Sequence, residues 1–278
     1  MPVSDLHRQV AAVALAAAGE HGFALGGGNA LLAYGVISRP TQDVDLFTDQ
    51  EQGVQAAADA VEAALRAAGF EPERQDQVAG LDDIFPGMGE ELAEWIVTAP
   101  GGEQMLLQLA YFDRGRDPVA IAGIGPVLDL EDVVGGKVCA LASRVEPRDY
   151  ADVAAALERY SPAQLIGLAR RLDPGLAGQD FADAGVRLDQ MDDRAFAELG
   201  LSLPDVTRLR ERFATWPRSA REAQPGNPAE PGPESVQTTA VGKPEPEEGE
   251  QDPADGPQQY GARQLVAQPE RDDPEAEP

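Results

Sequence analysis

Asp43 and Asp45 stand i, i+2 in the run Asp43-Val44-Asp45-Leu46-Phe47, and three glycines precede them in Leu25-Gly26-Gly27-Gly28-Asn29-Ala30-Leu31. An alternating strand places both carboxylates on one face, where they repel each other unless a cation lies between them. Mg²⁺ fits such a pair, because it takes one or two carboxylates and completes its shell with water and substrate phosphates. Glycines at a strand-to-helix turn let backbone N–H groups approach a phosphate at the positive end of the helix. The two segments together describe a phosphate-and-metal site, with Arg39 and Thr41 close by in Arg39-Pro40-Thr41-Gln42-Asp43. Asn29, beside the glycines, reads either as a helix cap or as an amide facing a ligand.

A second constellation lies downstream. The chain has two lysines, Lys137 and Lys243, against about twenty arginines. Lys137 sits in Val133-Val134-Gly135-Gly136-Lys137-Val138-Cys139-Ala140-Leu141 and shares a helical face with Val133, Val134 and Leu141. A lysine so placed either runs its stem along apolar surface or holds its ammonium toward a phosphate, which a compact point charge suits. Arg148-Asp149-Tyr150-Ala151-Asp152 opens the next helix. The helix dipole favours acids in a first turn, which accounts for Asp149 better than for Asp152. Either acid could orient Lys137 or Arg148, or act as a base. A third carboxylate beside a metal is expected on the strand over 104–112, but its central polar residue is Gln108, leaving Asp113 at the end as a reserve. His7 and His21 are too far apart to argue for a metal, and Cys139 reads as a small core hydrophobe.

These residues need elements to carry them. Ser4 is a plausible N-cap for a helix through Ala18; 23–25 reads as a short strand, 29–34 as a helix and 43–47 as a strand. A helix over 51–68 follows, then strands over 70–78, 94–98 and 104–112 separated by glycine-rich turns. From Asp129 the pattern is helical: 130–144, 148–160, then 161–172 with Ser161-Pro162 at N-cap and N1, and further helices to Trp216. The fold class expected is α+β: a small mixed-sheet core over 1–128, a helical half over 129–218 that completes the site, and a disordered acidic tail over 219–278. The tail is Pro-, Glu-, Gln- and Gly-rich and cannot bury enough apolar surface to offset its ordering entropy.

Composition narrows the partners. The tail carries 14 acidic and 4 basic residues, so of the chain's net charge of −27 it holds −10 and the remainder −17. A folded part that acidic lacks the broad basic footprint of a nucleic-acid binder, and any such contact must be local. Arg170-Arg171 and Arg208/Arg210/Arg212 are the candidates for such a patch. With no long apolar run and one cysteine, the chain is expected to be soluble and cytoplasmic, with no membrane partner and no internal disulfide.

The pieces resemble the AbiEii/AbiGii nucleotidyltransferase toxin family, a branch of the DNA polymerase β-like nucleotidyltransferase superfamily. Gly27-Gly28-Asn29-Ala30-Leu31, Arg39-x-Thr41-x-Asp43-x-Asp45-Leu46, the Lys137 helix with Ala140-Leu141, and Arg148-Asp149-x-x-Asp152 come in that family's order, within 23–153. The resemblance implies a nucleotidyltransferase core with a helical second half, Mg²⁺ at Asp43 and Asp45, and transfer of a nucleotide from an NTP to an acceptor. It places Gly27 and Gly28 on phosphates, Lys137 on the triphosphate, and Asp152 or Asp149 at the last acidic position. Asn29, Arg39, Thr41 and Arg148 would complete the nucleotide-binding set. It further implies a toxin acting on RNA such as tRNA, with a cognate antitoxin. Two other readings stay open: a catalytically silent binding protein on the same fold, and an enzyme with a small-molecule acceptor, which the acidic surface suits better than RNA.

Overall fold

The computed structural model describes residues 4–75 and 91–224. Alternation decides the layout of the sheet. In β2 (Asp43–Thr48) Val44, Leu46 and Thr48 are buried, while Asp43, Asp45 and Phe47 lie on the other, less covered face. The same parity runs through β4 (Leu92–Thr98), where Ala93, Trp95 and Val97 are buried, and β5 (Gln104–Tyr111), where Met105, Leu107 and Leu109 are. Two helices cover this buried face. In α1 (Asp5–Ala17), capped by the Ser4 side chain, the covering residues are Val10, Ala11, Ala14 and Leu15, and in α3 (Gly53–Ala67) they are Val54, Ala57, Ala58, Val61 and Leu65. Both sets repeat at i, i+3/i+4, the spacing of one helical stripe.

The remaining strands are β1 (Ala24–Leu25), β3 (Glu71–Arg74), β6 (Val119–Ile121) and β7 (Gly125–Val127), in the sheet order β3-β4-β5-β2-β1-β7-β6. β2 runs parallel to β5, β1 runs parallel to β7, and the other neighbours are antiparallel. This is the mixed sheet of an α+β fold. β6 and β7 are not expected from the pattern, since three residues show no usable period. The strand expected over 70–78 is observed over Glu71–Arg74, with 76–78 outside the described residues. The short helix α2 (Gly27–Ala33) starts inside the glycine run, two residues earlier than expected.

The second half is helical, as expected: α4 (Leu130–Ser143), α5 (Pro147–Ala156), α6 (Pro162–Leu172), α7 (Gly178–Gln190) and α8 (Leu203–Arg212). Ser161 caps α6 with a reciprocal Gln164 contact and proline at N1; α5 stops at Ala156, short of the expected Tyr160. The sheet and the helical half form one unit, within which Tyr34 of α2 donates from its hydroxyl to the Leu128 carbonyl, 2.9 Å away at the entry to α4. Residues 219–224 form a turn with Ala223 buried, and the rest of the expected tail lies outside the described residues.

Tyr150 ties α5 to α7. It is fully buried, donates to the Ala184 carbonyl at 2.6 Å and packs edge-on against Phe196 and Phe213. Tyr150→Phe leaves that carbonyl without its donor, and the expected cost is about 1–2 kcal/mol. In a fold of this size that lowers Tm by roughly 2–6 °C, checked by differential scanning calorimetry. The hydroxyl faces α7 and not the carboxylate pair, so transfer activity below the melting range should be unchanged.

Candidate active site

The glycine turn and the strand of the two carboxylates are stitched together. The Gly26 N–H donates to the Asp45 carbonyl at 2.8 Å. Gly27 has φ +56°, and a Cβ there would lie 1.7 Å from Asp45 Oδ2. A Cβ on Gly28 would press on the Thr41 methyl at 2.5 Å. Glycine at 27 is thus demanded twice, by a left-handed backbone and by the approach of a carboxylate. Gly27→Ala should cost about 1–2 kcal/mol for the backbone alone and also push Asp45 aside, so divalent-cation affinity, read by calorimetric titration, should fall with stability.

Asn29 holds the start of β2 in place. Its side chain is buried, donates from Nδ2 to the Asp43 carbonyl at 2.6 Å and accepts from the Thr41 hydroxyl at 2.7 Å. The polar groups of Asn29 and Thr41 face each other and the backbone of Asp43. Their geometry sets the position of the first carboxylate.

Neither Asp43 nor Asp45 forms a side-chain hydrogen bond or ion pair with another described residue. Burial pushes the Asp45 carboxyl up to about 6; Lys137 opposes this, Asp43 adds to it, and Arg148 and Arg144 oppose it more weakly. Two unpartnered carboxylates on one half-covered face fit a divalent cation. No group of three or more His, Cys, Asp or Glu side chains suited to a metal occurs among the described residues.

Lys137 of α4, which acts on Asp45, belongs to a charged cluster with Asp152 of α5 and Arg39 from the segment before β2. Lys137 Nζ lies 3.1 Å from Asp152 Oδ2, and Arg39 donates to Oδ1 of the same carboxylate from Nε at 3.1 Å and Nη2 at 2.5 Å. The Asp152 side chain has no exposed area, while Lys137 and Arg39 keep 18% and 25% of theirs, so the cations reach solvent and the acid does not. Burial alone would raise the Asp152 carboxyl, but Lys137 and Arg39 outweigh it and hold it below the usual range. Asp149 is committed elsewhere. Arg144 grips both its oxygens, at 2.8 and 3.0 Å, and the Glu146 N–H donates to Oδ2 at 3.2 Å as half of a capping box on α5. Arg148 Nε donates to Glu146 at 2.7 Å. The structure therefore separates two acids that the sequence left equivalent: Asp152 joins the Lys137–Arg39 cluster, and Asp149 anchors Arg144.

Two site residues were not anticipated. Gln108 lies opposite Asp45 in the β2–β5 register and donates to Glu94, its opposite number on β4, so Glu94 shares the carboxylate face one strand further out. Alternation in Leu92-Ala93-Glu94-Trp95-Ile96 groups Glu94 with Ile96, but only the register says which face this is. Arg144 is the other; a helix-end arginine carries no signal of its own. Asp113 lies past the point where Tyr111 pairs with Thr48, beyond the far end of β2, and does not join the pair. Cys139 is half-buried against the Ala169 carbonyl, and burial pushes its thiol up to about 12.

A sequence model of the nucleotidyl transferase AbiEii toxin, type IV toxin–antitoxin system, matches residues 10–216. The chain belongs to this family. Among solved structures, MenT4, a nucleotidyltransferase toxin of Mycobacterium tuberculosis, superposes with a TM-score of 0.51 at 15% identity, over 75% of this chain and 82% of that one. JHP933 of Helicobacter pylori gives a TM-score of 0.48 at 14% identity, over 76% of this chain and 91% of that one. No curated protein matches the chain. As an AbiEii nucleotidyltransferase the protein is an enzyme acting on a nucleotide substrate, with a cognate antitoxin implied by its class. No helix among the described residues is long and apolar enough to cross a membrane.

Proposed function

We propose that the protein transfers a nucleotide from an NTP to a hydroxyl acceptor, with Mg²⁺ held by Asp43 and Asp45 and the triphosphate lying between the glycine turn and the Lys137–Arg39 wall. The single observation that carries this reading is a carboxylate pair without a side-chain partner among the described residues, set so close against the glycine turn that a Cβ on Gly27 would lie 1.7 Å from Asp45 Oδ2. A bound divalent cation supplies charge neutralisation for phosphate oxygens. The chain's own groups do the rest. The Gly27 and Gly28 backbone approaches the phosphates, Lys137 places a point charge on them, and Arg39, fixed by Asp152, offers its remaining N–H groups. With the NTP so held, the acceptor oxygen attacks the α-phosphorus in line, the bond to the β-phosphate breaks and pyrophosphate leaves.

Arg148 and the backbone around Asn29 and Thr41 are assigned to the nucleotide side of the cleft, Asn29 and Thr41 through the placement of Asp43. The test is transfer of label from α-³²P NTPs to cell-extract acceptors. Mg²⁺-dependent label, abolished by chelation and restored by added Mg²⁺, is the expected outcome. NTP binding with no transfer to any acceptor would make the protein a binding module on this fold.

A further inference from the structure

Where β5 runs past the carboxylate pair, its central polar residue is an amide and not an acid. Gln108 lies opposite Asp45 of the parallel strand β2, and on its other side opposite Glu94 of the antiparallel strand β4. Residues opposite each other in register share a face of the sheet, so Gln108 stands on the face of Asp43 and Asp45, one strand spacing or about 4.8 Å from the Asp45 backbone.

The neighbours of Gln108 and Glu94 along their strands are apolar. Leu106 and Ala110 flank the first, Leu92 and Ile96 flank the second, and all six residues are half-buried. A polar pair in such a patch keeps its hydrogen-bonding groups matched, and here the match fixes the sense of the amide. Gln108 Nε2 donates to Glu94 Oε1. An ionised carboxylate only accepts, so the amide turns its nitrogen toward β4 and cannot present its oxygen there. That oxygen, Oε1, accepts from no other described residue and is not sealed from solvent. Hard divalent cations take amide carbonyl oxygens as well as carboxylates. Glu94 is two strand spacings, roughly 10 Å, from the Asp45 backbone and stands behind the amide.

Resting on the transferase reading above, we infer that Gln108 is a further ligand, through Oε1, of the cation held by Asp43 and Asp45, and that Glu94 is a positioning residue that sets the orientation of its amide. The neutral oxygen fills a coordination position without adding a third negative charge to a face on which two carboxylates already repel. A third carboxylate in its place would bind the ion more tightly and burden the metal-free fold with more repulsion. Glu94 acts on the ion only through the amide, as outer partners of metal ligands do.

The test is titration of the full-length protein with Mn²⁺, whose electron paramagnetic resonance separates bound from free ion, beside the Tm in chelator. Gln108→Leu suits a half-buried strand and should fold, and its affinity for Mn²⁺ should fall roughly tenfold. Gln108→Glu should raise that affinity roughly tenfold while lowering the Tm in chelator, because the new charge faces both Asp45 and Glu94. Glu94→Gln offers Gln108 a partner that accepts or donates, so the amide is free to turn, and Mn²⁺ affinity should fall about threefold to tenfold. Parental affinity in Gln108→Leu, or no gain in Gln108→Glu, overturns the ligand role, and parental affinity in Glu94→Gln overturns the positioning role. The transferase reading stands in those cases so long as Asp43→Ala loses the ion. A parent protein that binds no Mn²⁺ removes that reading and the inference with it.

Discussion

Asp43→Ala is expected to move activity and stability in opposite directions. Transfer of label from NTP should fall by about 10³-fold or more, because half the carboxylate donor set we propose for the cation is lost and the charge that builds on the phosphates goes uncompensated. In chelator the same variant should melt no lower than the parent, and slightly higher. Its carboxylate makes no protein contact among the described residues and pushes up the Asp45 carboxyl beside it, so its removal relieves repulsion and breaks nothing. The backbone position survives because Asn29 holds the carbonyl of residue 43, not its side chain. Added Mg²⁺ should raise the Tm of the parent and leave the variant's unchanged, a readout independent of turnover. Wild-type transfer by Asp43→Ala, or a collapse of its Tm, would remove the pair from the centre of the site.

That prediction was legible in the sequence because i, i+2 spacing in a strand has one structural meaning. The glycines were legible as a strand-to-helix turn, but what demands Gly27, a left-handed backbone against the Asp45 carboxylate, shows only in the fold. The capped helices α1 and α6 and the strand parity of β2 and β5 followed from local signals of equal directness. β6 and β7 did not, since three-residue strands flanked by glycines exist only because β1 is there to pair with β7.

Contacts across the chain are where local pattern runs out. Arg39 and Asp152 are separated by 113 residues, and nothing near either says that they meet. Asp149 and Asp152 look alike in one helical turn; three residues of helix rotate them toward different partners, Arg144 and the Lys137–Arg39 cluster. Glu94 was missed because its role depends on register across two strands.

Asp152 carries the second large effect. Its carboxylate is wholly buried and is the common partner of two cations that we propose lie on the phosphate side. Asp152→Ala leaves Lys137 and Arg39 without a counter-charge in a half-buried place, at an expected cost of about 3–5 kcal/mol, so loss of activity in that variant could reflect loss of fold. Asp152→Asn separates the two. It keeps the shape and one acceptor oxygen, and should fold with a Tm lowered by several degrees. It should still lose about 10²-fold in kcat/KM, with much of the effect in the KM for NTP, because Lys137 and Arg39 are no longer held in register. The pH dependence gives a second check. The folded-state carboxyl is depressed below its unfolded value of about 3.9, so its stabilising contribution is present above that value and lost as pH falls through the lower folded one. The parent should therefore lose the Asp152 contribution below about pH 4, and the difference in Tm between it and Asp152→Asn should shrink there. A difference that stays constant from pH 7 to pH 3 would mean that the ion pairs add nothing to the fold, and unchanged kcat/KM in Asp152→Asn would mean that they do not position the cations.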